Sequence, residues 1–164
     1  PLKNVTVTDI LITKFNVNPV DAKKVSYFCE GSIIKAKGLI DSDFLSLIDD
    51  TVFILRYSLG KRYHTALDKL NKIIDNNSLD KFKLIMEFML KWFKDAEKLR
   101  NELDDLEFAE FKETLEKFNT KFDDIKINEV INKINKLIDA SDRNINLNII
   151  TTNIILELAS LSMR

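Results

Sequence analysis

The chain has 164 residues, with 25 basic and 26 acidic side chains and a formal net charge of −1. A chain of this length can bury about 70% of its unfolded surface, so one domain or two small ones can form a core without a disulfide or metal staple. Three glycines and two prolines are too few to turn the strands of a sheet protein, which predicts an all-α fold. The single Cys29 cannot close an internal disulfide, and a reducing, cytoplasmic setting is the expectation. No apolar run approaches 18 residues, so neither a membrane span nor a signal peptide is expected, and no membrane partner. The near-neutral charge lacks the basic stripe of a protein that grips nucleic acid alone, so any role on DNA would come through partners.

In chain order, Thr8 before Asp9 predicts the start of a short helix carrying Ile10, Leu11 and Phe15. Asn18-Pro19-Val20-Asp21 then supplies a cap, a first-turn proline and a first-turn acid. That helix carries Ala22, Val25, Tyr27, Phe28 and Cys29 and stops at Gly31, where Ser32 caps a third helix holding Ile33, Ala36 and Ile40. A fourth is expected from Ser42-Asp43 to about Gly60, and a fifth carries Tyr63, Leu67, Leu70 and Ile74. After the polar turn Asp75-Asn76-Asn77-Ser78 comes a helix to about Leu99, apolar nearly all round and expected at the centre of the core. Lys98 to Asp105 reads as a loop, and Phe108, Phe111, Leu115, Phe118 and Phe122 as one helical stripe. Ile127, Ile131, Ile134 and Ile138 form another stripe, on a helix ending near Asp142. The last helix starts near Asn146 and carries Leu147, Ile150, Ile154, Leu158 and Leu161.

Catalytic constellations are scarce. His64 is the sole histidine, which removes two-histidine metal sites and helical di-iron motifs; no metal or other cofactor is expected. Cys29 lies among Tyr27 and Phe28, where a small buried hydrophobe is the plainer reading than a thiol nucleophile paired with His64. Gly60-Lys61 has neither the earlier glycine nor the following hydroxyl of a phosphate loop, because Arg62 comes next. Asp49-Asp50, Glu102 with Asp104-Asp105, and Asp123-Asp124 read as solvated faces and helix starts rather than acid–base pairs. Lys23-Lys24, Lys35 with Lys37, and Lys61-Arg62 could touch phosphates but read as short solvent-facing clusters balanced by acids. No catalytic residue is assigned.

The segment Phe28-Cys29-Glu30-Gly31-Ser32-Ile33-Ile34-Lys35-Ala36, preceded by Pro1-Leu2 and the Pro19-Val20-Asp21-Ala22 helix start, resembles the small helical lid after the ATPase core in clamp-loader subunits of bacterial DNA polymerase III. Within it, Gly31 ends one helix, Ser32 caps the next and Ala36 allows a close crossing. At the far end, Ile138-Asp139-Ala140, then Arg143-Asn144-Ile145-Asn146 and a helix through Ile154-Ile155-Leu156-Glu157-Leu158, resemble the closing motif of the delta-prime type, where an Asn-x-Asn turn joins the last two collar helices. Motor subunits place a nucleotide-sensing arginine two residues after the serine. Ile34 stands there and cannot hydrogen-bond a phosphate.

The resemblance covers essentially the whole chain. It implies a three-helix AAA+ lid at 1–41 and a collar of five to six helices at 42–164, with no catalytic or cofactor-binding residue. It also implies an ATPase core upstream of Pro1, degenerate in its phosphate loop and carrying an arginine finger. The implied partners are gamma/tau-like and delta-like subunits, with the sliding clamp and primer-template DNA engaged indirectly, as part of a DNA polymerase holoenzyme. Ile131, Ile138, Asn144, Asn146, Leu147, Ile150 and Ile154 are the candidate collar interface, although the same stripes could fill the chain's own core. The alternatives are the collar of a gamma/tau-like or delta-like subunit, or a stand-alone helical enzyme using Cys29 or His64.

Overall fold

The computed structural model describes residues 1–74, 78–143 and 146–161. Among them the protein has nine α-helices and no strand. It divides into two compact units, residues 1–48 and 49–164.

The first unit holds α1 (Asn4–Phe15), α2 (Pro19–Phe28), α3 (Ile33–Asp41) and the first residues of α4 (Phe44–Leu59). α1 begins a turn earlier than Thr8, because Val7 and Leu11, four residues apart, are both fully buried and extend the stripe toward the N-terminus. Thr8 is mid-helix, its hydroxyl donating to the Asn4 carbonyl at 2.9 Å instead of capping. α2 starts as its sequence dictates: Asn18 Oδ1 accepts from the Asp21 amide at 2.9 Å, with Pro19 in the first turn. Ser42 turns its hydroxyl back to the Leu39 carbonyl at 2.8 Å, serving the end of α3 rather than the start of α4. The first unit runs past the end of α3 to Ile48 because Phe44 packs edge-on against Phe28, with ring centroids 5.1 Å apart.

The second unit takes in the rest of α4, then α5 (Tyr63–Ile73), α6 (Leu79–Arg100), a single 3-10 turn (Ala109–Phe111), α7 (Lys112–Lys121), α8 (Ile127–Ser141) and α9 (Leu147–Ser160). Ser78 caps α6 by accepting from the Lys81 amide. As its all-round apolar sequence predicts, α6 is central: Phe82, Ile85, Met86, Phe88, Met89 and Phe93 are fully buried, and both α7 and α8 pack against it. α9 packs on α5 and α8. α6 continues through Lys98 to Arg100, so the irregular segment is shorter than the charge run suggested. The aromatic stripe is also divided: Phe108 precedes the 3-10 turn and Phe122 follows α7, although both are buried alongside Leu115 and Phe118. No helix of the described residues is long and apolar enough to cross a membrane.

Candidate assembly surface

Gly31 sits at φ +76°, and a Cβ there would lie 2.5 Å from the Leu2 carbonyl oxygen and 2.6 Å from the Leu2 nitrogen. Glycine is therefore required both by backbone conformation and by space. The Leu2 amide donates to the Gly31 carbonyl at 3.2 Å, tying the N-terminal segment to this turn. Ser32 Oγ accepts from the Lys35 amide at 3.3 Å, and Ala36 is fully buried, as a close helix crossing demands. Ile34, by contrast, is 87% exposed.

At the other end, Asn146 Oδ1 accepts from the Asn148 amide at 2.9 Å and opens α9; Asn144 lies outside the described residues. Leu147, Ile150 and Ile154, candidates for an intersubunit face, are instead at most 6% exposed within the chain's own core, where α9 meets α5 and α8. Ile131 and Ile138 on α8 are half-buried. The apolar side chains that α9 leaves to solvent are Ile149 and Leu156, 56% and 51% exposed. Seven residues separate them, which places them on one face two turns apart. Glu157 is the one charged residue of α9, and it is drawn to α8 by Lys133 at 2.6 Å. Ile149 and Leu156 escape the sequence reading because α9 is apolar on nearly every side, and periodicity cannot then distinguish an inner from an outer face.

Of the candidate chemical groups, Cys29 belongs to the first unit and His64 to the second. Cys29 is fully buried, its thiol 3.5 Å from the Ser26 carbonyl oxygen, an environment for a packed side chain rather than a nucleophile. His64 is exposed and lies against Tyr63, ring centroids 4.5 Å apart. Among the described residues no three His, Cys, Asp or Glu side chains group to hold a metal ion. The apolar cleft between α8 and α9, with Lys133 and Glu157 beside Ile134, Leu137, Ile154 and Leu158, encloses about 10 Å³, room for roughly one water.

A polar seam along α6 was not visible in the sequence. Asp95, fully buried, accepts from the Phe108 amide at 2.8 Å and meets Lys98 Nζ at 3.2 Å. Lys98 also donates to the Asp105 carbonyl at 2.7 Å, and Lys91 pairs with Glu107 at 2.9 Å. Burial pushes the Glu107 carboxyl above its usual range, against the hydrogen bond and charge of Lys91, which pull it down. Arg100 donates to the Ile125 carbonyl at 2.7 Å, to the Phe122 carbonyl at 2.5 Å and to Asn119 Oδ1 at 3.0 Å. Asp95 thus satisfies the buried Phe108 amide in the segment after α6, and Arg100 the Phe122 and Ile125 carbonyls between α7 and α8. Comparison with protein-family models, with curated proteins and with solved structures yields no match.

Proposed function

We propose that this chain is the non-catalytic lid and collar of a delta-prime-like clamp-loader subunit, and that its work is assembly: packing against gamma/tau-like and delta-like collars to hold the loader that places a sliding clamp on primed DNA. The observation that carries the reading is the pairing of two local devices at the two ends of one helical chain. Near the start, Gly31 is required by its positive φ and by Leu2, with Ser32 capping and Ala36 buried behind it. Near the end, Asn146 caps the last helix. Three helices lie before residue 42 and six after it, the helix count that a lid and collar call for, although the compact units divide at residue 48. The exposed Ile34 agrees with a lid that makes no contact with a nucleotide phosphate.

Burial suggests where to assign the assembly face within this reading. Ile149 and Leu156, with half-buried Ile131 and Ile138 on α8, are the side chains assigned to a partner collar, while Leu147, Ile150 and Ile154 are buried in the chain's own core. Size-exclusion chromatography with light scattering tests this. Mixed with gamma/tau-like and delta-like collars, the chain is expected to elute in a higher assembly, and Leu156→Glu is expected to weaken it. Persistent monomers at micromolar concentrations with every partner present would refute the reading.

A further inference from the structure

The turn between α4 and α5 gathers positive charge with no carboxylate beside it in sequence. From Thr51 to Leu67 the chain contains Arg56, Lys61, Arg62 and His64 and neither Asp nor Glu. Asp50, the nearest acid before Lys61-Arg62, is engaged with Lys69 at 2.7 Å, and Asp68 is the nearest acid after it. Among the described residues, the ion-paired cations are lysines elsewhere, and Arg56, Lys61 and Arg62 have no carboxylate partner.

The turn is folded tightly. The Gly60 amide donates to the Arg56 carbonyl at 2.9 Å, the Lys61 amide to Ser58 at 3.1 Å and the Arg62 amide to Tyr57 at 2.8 Å, which keeps the three cations within about one helical turn of backbone. Arg62 is held in place as well: its guanidinium lies 5.0 Å over the Tyr57 ring, itself stacked on Phe53 at 4.1 Å. A guanidinium fixed on an aromatic face loses little freedom when it meets an anion. Two of the chain's five arginines fall in this seven-residue span, against 20 lysines in the chain. Arginine is the side chain whose planar fork matches a phosphate with two hydrogen bonds. Next to it, the Tyr63 ring lies against His64 at 4.5 Å, and the residue is 37% exposed, which leaves part of an aromatic surface for stacking.

We propose that Arg56, Lys61 and Arg62 form a contact for the phosphate backbone of a single nucleic-acid strand, with Tyr63 a stacking face for one base. An acidic peptide would meet the charge but make no use of the exposed ring, which is why a nucleic-acid strand is the better occupant. The proposal stands apart from the assembly reading, since it concerns a surface of the second unit whatever its partners are.

Fluorescence anisotropy of a dye-tagged oligothymidylate, titrated with the full chain, tests it. Binding is expected at about 50 mM salt and should weaken about 20-fold by about 200 mM, the dependence of roughly three phosphate contacts to a single strand. The double variant R56Q/R62Q should lose most of this binding and Y63A should weaken it several-fold, while K117Q/K121Q on α7 should leave it unchanged. K61N keeps a residue that tolerates the left-handed backbone at φ 62° and should also weaken binding, so the test survives if R56Q/R62Q fails to fold. Circular dichroism checks folding of each. No binding at low salt, binding undiminished in both R56Q/R62Q and K61N, or a glutamate-rich peptide binding as tightly as the oligonucleotide would overturn the proposal.

Discussion

Asp95 on α6 and Phe108, thirteen residues further on, are joined by a 2.8 Å hydrogen bond from the Phe108 amide to a carboxylate with no solvent exposure. The contact fixes the point where the irregular segment after α6 turns back onto the core, and it seats Phe108 edge-on against Trp92, ring centroids 5.4 Å apart. Removing the acceptor leaves a buried N–H and a buried void together. Asp95→Ala is expected to cost about 2–4 kcal/mol, and Asp95→Asn less, because an amide oxygen still accepts. Urea unfolding followed by the fluorescence of Trp92, the chain's one tryptophan, reads both. Equal losses for the two variants would show that the charge, and not the hydrogen bond, carries the contact.

Glu107 makes stability depend on pH with a sign opposite to that of an ordinary salt bridge. Its carboxyl is held above the usual 4.5 chiefly by burial. A group raised in the folded state adds stability that is fully present below its unfolded value and is lost as pH rises through its folded value. The unfolding free energy of the native chain should therefore fall, relative to Glu107→Gln, as pH rises from below 4.5 to neutrality. Paired denaturant melts across that window measure it, since the other carboxylates cancel in the difference. A difference that stays flat, or grows in favour of the native chain, would contradict this assignment.

Gly31→Ala is expected to destabilise the first unit by about 2–4 kcal/mol, combining the left-handed backbone with a Cβ forced against Leu2. Ser32→Ala, which removes only the cap, should cost about 1 kcal/mol. Thermal melts separate the two. Similar, small losses would mean that the N-terminal segment moves aside freely.

Cys29 should resist iodoacetamide in the native state and react after unfolding, because it is fully buried. Rapid native alkylation, detected by mass spectrometry, would contradict this burial and favour the thiol-enzyme alternative.

The parts of this fold that could be read beforehand are those that depend on a few adjacent residues. Asn18, Ser32, Ser78 and Asn146 each cap a helix through an amide two or three residues away, so the signal is local. Thr8 was misleading for a related reason: a threonine can cap, but it can also bond back to the carbonyl four residues earlier, and burial of Val7 decides between them. The seam of Lys91, Asp95, Arg100 and Glu107 could not be read, because its partners lie 13 to 25 residues apart and nothing local marks them. Ile149 and Leu156 were hidden by abundance rather than distance, lost among the other apolar positions of α9.

Light scattering on the chain with its proposed partner collars addresses the central claim most directly. The account predicts a stable mixed complex that Leu156→Glu weakens while the monomer's melting temperature is nearly unchanged, since that side chain is half exposed. A mixture in which every component elutes at its own monomer mass would contradict it.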